Sequence, residues 1–218
     1  MKNKSKFIIA GASGLLFALL IFLVRIVDVV EVGPEGTCIG LSHLNKAVFD
    51  LFGVNMLWYD ITDWLGVAAI LVAVLFAMIG LVQLIRRRSL LKVDKGILAL
   101  GVLYISVIGL YVLFEFVIVN YRPIIMPGCA HPEASFPSSH TMLVCVIMGS
   151  AMMLLNQYIK RSRMCRVLQV ICGLVIAVTV VGRLISGVHW FTDIVGGILI
   201  SAALLSLFSG IMEKMKDE

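Results

Sequence analysis

Six apolar runs, each close to the length of a membrane-spanning helix, dominate this chain of 218 residues. A bilayer core takes about 20 mostly apolar residues per helix. The runs fall at approximately Phe7–Val27, Trp64–Ile85, Gly96–Val119, Thr141–Gln157, Val167–Val188 and Asp193–Met212, the fourth being short. The expected fold class is therefore all-α, a polytopic membrane protein of six transmembrane helices. Composition agrees: 61% of residues are hydrophobic and 14% charged, with a mean hydropathy of +1.05, against about 25% charged in soluble domains. A cytosolic domain would have too little polar surface to face water, and a disordered chain would be poor in apolar residues.

The net charge of +5 is not a nucleic-acid footprint, because in a membrane chain the position of the basic residues is what matters. Lys2, Lys4 and Lys6 precede the first run, and Arg86, Arg87, Arg88, Lys92 and Lys95 follow the second. Lys160, Arg161, Arg163 and Arg166 follow the fourth, and Lys214 and Lys216 the sixth, so fourteen of the 18 basic residues share one side. The positive-inside rule makes that side cytoplasmic, with both termini inside. The first run is long for a signal core and lacks a small-x-small cleavage site, so it reads as a retained anchor.

The opposite, external face holds an acidic segment between the first two runs, with Asp28, Glu31, Glu35, Asp50, Asp60 and Asp63. Within it, Ile39, Leu41, Leu44, Val48, Leu51 and Phe52 recur at helical spacing. Two readings are open: a short helix on the membrane surface, or a solvated loop with one apolar face against the bundle. Cys38 and Cys129 both lie on this side, where a disulfide between them is an open expectation. Cys145, Cys165 and Cys172 read as small core residues, and no cysteine–histidine spacing suits a metal. Trp58, Tyr59, Trp64 and Trp190 read as an interfacial aromatic belt, and Gly101, Gly109, Gly196 and Gly197 as close helix contacts.

Three external segments concentrate the polar chemistry: "NYRP" (Asn120 to Pro123), "FPSSH" (Phe136 to His140) and "GRLISGVHWFTD" (Gly182 to Asp193). Polar groups at membrane depth are functional candidates. Arg122 and Arg183 are fixed forks of donors for phosphate oxygens. Pro137 followed by Ser138 and Ser139 opens a helix whose first N–H groups suit an anion. His189 and Asp193, four residues apart, fit one helical turn, so the carboxylate can support the imidazole as a nucleophile. His140 is left as general acid. Such a set performs phosphoryl transfer without a metal or other cofactor. His131 and Glu133 match no motif and read as solvated loop or, alternatively, as substrate contacts, and His43 reads as an ordinary loop residue.

These segments resemble the type 2 phosphatidic acid phosphatase superfamily, which also includes vanadium haloperoxidases and whose pattern is K-x6-R-P, then P-S-G-H, then S-R-x5-H-x3-D. The chain carries R-P at Arg122–Pro123, "PSSH" at Pro137–His140 and R-x5-H-x3-D at Arg183, His189 and Asp193, within a resemblance that spans about residues 60 to 212. The resemblance implies an integral-membrane lipid phosphatase with its active site at the external membrane face. It implies that His189 forms a phosphohistidine, Asp193 orients it, His140 serves the leaving group, and Arg122, Arg183, Ser138 and Ser139 hold the phosphoryl oxygens. The implied substrates are undecaprenyl diphosphate, phosphatidylglycerophosphate or phosphatidic acid in the lipid bilayer, with phosphotransfer to a second lipid as a variant. The expected organisation is an amino-terminal anchor and external loop (1–60), a phosphatase core (61–212) and a short cytoplasmic tail (213–218).

The chain departs from the pattern at three places. Ser139 stands where the family has glycine, and Gly182 where it has serine. Glu115 stands where the motif lysine belongs, seven residues before Arg122 and on nearly the same helix face. Three readings of Glu115 are open. It pairs with Arg122 or Arg183; it stays protonated or meets a cationic or hydroxylated head group; or it marks an impaired phosphatase that binds phospholipid without turnover. A small transporter is a further class, but it leaves three phosphate motifs at one mouth unexplained.

Overall fold

A computed structural model describes residues 2–217. The element order is α1 (Lys2–Ile26), a two-stranded antiparallel ribbon of β1 (Val30–Glu31) and β2 (Cys38–Ile39), then α2 (Ser42–Phe52), α3 (Met56–Arg87), α4 (Lys95–Phe116), α5 (Ser139–Tyr158), α6 (Ser162–Ile185) and α7 (Phe191–Asp217). All of these except the ribbon and α2 contain a stretch long and apolar enough to cross a membrane, which gives the six spans expected. Large apolar side chains point outward around them, among them Leu15, Ile105 and Phe116.

Helix α3 begins about two turns before its apolar run. Asn55 caps it by accepting the Trp58 N–H at 3.2 Å, so the polar stretch through Asp60 and Asp63 is helical as well. At 32 residues the helix is about 48 Å long, well beyond the hydrocarbon thickness of about 30 Å. Its first turns therefore stand at the level of the polar loops.

Helix α5 is the axis of the bundle and the most buried span, packed by α3, α4, α6 and α7. Its Met142, Val146, Ala151 and Leu154 join Phe76 of α3, Leu100, Leu103 and Val107 of α4 and Phe208 of α7 in one apolar core. A second core joins Val144 and Ile147 to Ala69 and Cys172 on the α3 and α6 side. The turn leading into α5 is anchored by Phe136, stacked on Phe17 of α1 at 5.8 Å and edge-on to Phe114 of α4 at 6.1 Å. Lys6 and Glu213 pair at 3.2 Å, bringing both ends of the chain to the face opposite that turn.

Helix α2 resolves the two readings of the external segment: it is a helix, and it is fastened to the bundle by a polar side chain. Asn45 is fully buried; its Oδ1 accepts the Thr192 N–H at 3.0 Å and its Nδ2 donates to Gly40 O at 2.8 Å and to Thr192 Oγ1 at 3.0 Å. Several expectations need correcting. Cys38 and Cys129 are both free and exposed. Gly101 and Gly109 meet no neighbour, whereas Gly196 and Gly197 do lie against the turn into α5. Trp190 is buried, its Nε1 donating to Tyr121 O at 2.8 Å, and Trp58 and Tyr59 pack on α6; of the expected belt, Trp64 is the ring that stands exposed.

Candidate active site

The three motif segments converge at one end of the bundle, around the start of α5. Ser138 is the N-cap of that helix, its Oγ accepting the Thr141 N–H at 3.4 Å, and its own N–H donates to Asp193 O at 3.0 Å. The turn is thus tied to the first turn of α7. Ser138 is wholly buried by this work, and Ser139 rather than Ser138 lines the cavity between the motifs. The expectation that both serines face the phosphate is corrected to that extent.

His189 and Asp193 do not share a helical turn. His189 lies in the loop between α6 and α7, and Asp193 is the third residue of α7. The Asp193 Oδ2 accepts the Trp190 N–H at 2.9 Å, a capping contact at the helix start. The same oxygen stands 3.7 Å from His189 Nδ1, within ionic reach but too long for a hydrogen bond. The capping role and the histidine role therefore fall on one carboxylate. The loop itself is clamped from outside, because Asn55 N–H donates to Ser186 O at 3.0 Å and Gly187, at φ 66°, lies against the backbone of Gly53. Loop clamp and cap together fix where the imidazole stands.

Arg122 and Arg183 each meet a carboxylate, and neither meets Glu115. The Arg122 Nε lies 3.4 Å from Glu133 Oε2, and the Arg122 N–H donates to Glu133 O at 3.0 Å. Arg183 is fully buried; its Nη2 donates to Asp63 Oδ1 at 3.3 Å, and its guanidinium carbon stands 4.8 Å from the Tyr59 ring centre. Glu115 lines the cavity rim beside Tyr111 and Arg122, and among the described residues it forms no ion pair. That excludes the first of its three readings. Glu133 lies in a loop, as expected, and its carboxylate there also stands beside Arg122.

Six nitrogens of the motif residues are buried without a hydrogen-bond partner among the described residues: Nε of Arg122, Nε and Nη1 of Arg183, Nδ1 of His140 and both ring nitrogens of His189. Buried polar groups are rarely left so, and an unpaired buried cation is costly. The set is therefore shaped for an anion. Burial, reinforced by the charges of Arg122 and Arg183, holds the His189 imidazole well below its ordinary pKa range, so the ring is neutral and its lone pair free.

The polar cavity is lined by His189, Arg122, Ser135, Ser139 and Glu115. It shares Tyr111, Ser139 and Met142 with a larger apolar groove of about 380 Å³. The groove runs between α3, α4 and α5 past Val67, Ile70, Val107 and Ile108, and His140 and Asp63 stand in its wall. Nucleophile and acid candidates thus face two adjoining compartments, one polar and one apolar.

Asp63 is the residue of this region that sequence reasoning missed. Its Oδ1 lies 3.0 Å from His140 Nε2 as well as 3.3 Å from Arg183 Nη2. In sequence it is one acid among six in an external segment. The available signal was its place at the very start of an apolar run, where a solvated loop acid has no reason to be.

Residues 97–216 match the PAP2 superfamily. The chain belongs to that superfamily. It is similar to phosphatidylglycerophosphatase B of Bacillus subtilis (strain 168), 31% identical over 96 residues, an alignment covering 44% of this chain and 47% of that protein. The matched stretch is thus about half the length of this relative. Its fold is similar to the crystal structure of the first transmembrane PAP2 type phosphatidylglycerolphosphate phosphatase from Bacillus subtilis, with a TM-score of 0.66, 20% identity, and coverage of 94% of this chain and 96% of that one. At that identity the likeness speaks for the fold. For a PAP2 chain, Gly182 in place of serine has a local reason here: a Cβ would stand 2.5 Å from Thr62 Cγ2 and 2.9 Å from the Trp58 ring. Helix α3 fills the space that a serine would occupy.

Proposed function

We propose that this PAP2 protein is an integral-membrane lipid phosphatase acting through a phosphohistidine, with both termini cytoplasmic and the site at the external face. The observation that carries the proposal is the set of unpartnered buried nitrogens of His189, Arg122 and Arg183 at a polar cavity, lined by His189 and Arg122, that adjoins an apolar groove. A lipid phosphate has the same two-part character. Its phosphoryl group suits the cavity and its tails suit the groove, which continues into the lipid-facing surface of α3 and α4.

In this reading His189 Nε2 attacks phosphorus, forming a P–N bond while the P–O bond to the leaving group breaks. The departing oxygen takes the electron pair and a proton from His140, which stands on the groove side where a lipid alcohol would leave. Water then attacks the phosphohistidine, giving its proton back to His140 and releasing phosphate. Arg122 and Arg183 hold the equatorial oxygens, Ser139 and the first N–H groups of α5 add donors, and Asp193 steadies the imidazole. Two guanidinium groups and a helix terminus supply the positive charge, so the step needs no metal. Residues 61–212 form the phosphatase core, and residues 1–60 contribute the α2 fastening.

Phosphatidylglycerophosphate, phosphatidic acid and undecaprenyl diphosphate are the candidate substrates. A second reading rests on Glu115, an acid on the cavity rim without a cationic partner: a protein that binds phospholipid without turnover. Phosphate release from a panel of lipid phosphates in detergent, without divalent metal, separates the two. Release by the wild type that is lost in His189→Ala supports the phosphatase; a silent wild type beside an active Glu115→Lys supports the binding protein.

A further inference from the structure

Helix α3 lies before the stretch that matches the superfamily, yet it touches two of the motif residues. It does so at two places where the facing side chain is absent. At Gly182 of α6 a Cβ would collide with Thr62 and Trp58 of α3, and at Gly66 of α3 a Cβ would stand 3.0 Å from His140 Cδ2 and 3.5 Å from its Nε2. One turn above Gly66, Asp63 reaches the same edge of the ring, its Oδ1 3.0 Å from Nε2. The Cδ2–Nε2 edge of His140 therefore rests on α3. The opposite ring position, Nδ1, is buried without a hydrogen-bond partner among the described residues.

We infer that Asp63 is a positioning residue for the leaving-group acid: it holds the Nε2–H of His140, so that Nδ1 is the nitrogen that exchanges a proton with the substrate. The inference rests on the phosphatase reading and deepens it. In the imidazolium form both nitrogens carry protons. Nε2–H donates to Asp63, and Nδ1–H passes to the departing alkoxide as the P–O bond breaks. What remains is a neutral ring whose tautomer Asp63 has fixed, with a bare Nδ1 lone pair ready to take the proton of the attacking water. Carboxylate support of this kind selects one tautomer and one ring orientation. Arg183 Nη2, bonded to the same oxygen, keeps Asp63 aimed while Nε and Nη1 stay free for the phosphate.

A role through the acid has a signature that a role in folding or in phosphate binding lacks: it depends on the leaving group. An alkyl or lipid alkoxide needs a proton to depart, and p-nitrophenolate does not. The experiment measures the first-turnover rate of phosphoenzyme formation in detergent for wild type, Asp63→Asn, Asp63→Glu and His140→Ala, with a short-chain phosphatidic acid and with p-nitrophenyl phosphate. Asp63→Asn is expected to slow the phosphatidic acid reaction about 10- to 100-fold and the p-nitrophenyl reaction about threefold or less. His140→Ala should show the same split more strongly, and Asp63→Glu should recover part of the loss. An equal fall with both substrates, or a change confined to KM, overturns the inference and assigns Asp63 to Arg183 or to the fold. No fall with either substrate also overturns it. A wild type that forms no phosphoenzyme from either substrate removes the phosphatase reading itself, and is distinguished by the silence of the unaltered protein.

Discussion

Asn45 and Thr192 join helix α2 to the first turn of α7 by a two-way hydrogen bond, Thr192 N–H to Asn45 Oδ1 and Asn45 Nδ2 to Thr192 Oγ1, both at 3.0 Å. The asparagine stands in for a helix cap, satisfying an N–H of α7 from 147 residues away. Asp193 is the next residue, so α2 indirectly fixes the carboxylate beside His189. Removing Asn45 leaves the Thr192 N–H and the Gly40 carbonyl buried and unpaired. Asn45→Ala is expected to cost about 2–4 kcal/mol of stability, read as a lowered thermal midpoint in detergent, with phosphatase activity falling before the fold is lost.

The buried, neutral state of His189 sets a pH dependence with a definite sign. Its folded pKa lies well below the ordinary value of 6.5, so the unfolded chain binds a proton near pH 6.5 that the folded chain does not. The stabilising difference is complete above that pH and is lost as the pH falls below it, by up to about 1.4 kcal/mol per unit. Thermal unfolding between pH 7.5 and about 5 should show this decline, and His189→Gln should flatten it. His189, the proposed nucleophile, stays unprotonated over the upper part of that range. First-turnover rates with p-nitrophenyl phosphate should therefore hold steady from pH 7.5 to about 6.

Restoring the superfamily's serine at position 182 should harm this protein. Helix α3 already occupies the place of the side chain. Overpacking of this kind costs about 1–3 kcal/mol, and here it also pushes α3, with Asp63, away from Arg183 and His140. Gly182→Ser should lower the unfolding midpoint, and a double variant Gly182→Ser with Thr62→Ala should recover part of the loss.

Glu115→Lys replaces an exposed, unpaired rim charge with the motif residue. At the rim the screened interaction with a phosphate is worth about 1 kcal/mol per charge, so reversing the sign should lower KM for anionic lipids by about 10-fold or more. The effect should be larger for a diphosphate than for a monophosphate and should shrink with added salt. Equal KM values in both proteins would show that Glu115 lies outside the substrate's field.

Much of the fold was legible because the bilayer imposes a simple rule on sequence. Apolar length gave the six spans, and the loop charges gave an orientation that agrees with their number. Helix ends were less legible: the apolar run starting at Trp64 hides the polar turns that Asn55 caps into α3. Arg122, Ser139, His140, Arg183, His189 and Asp193 could be singled out because their residue types and spacings suit phosphoryl transfer. The pairings of Asp63 and Glu133 could not, since a carboxylate carries no mark in the sequence of the partner it will meet.

The sequence by itself determined the class of molecule and the number of spans, and it singled out the candidates to hold a phosphate, because these follow from local chemistry: apolar length, charge placement and donor type. Only the tertiary structure decided how those residues pair. It joined Arg122 to Glu133 and Arg183 to Asp63, left Glu115 without a cation and gave Asp193 a cap to hold as well as a histidine. It also set Asp63 against His140 through the gap at Gly66. Such pairings depend on how segments far apart in the chain are set against one another, and packing fixes that where local pattern cannot.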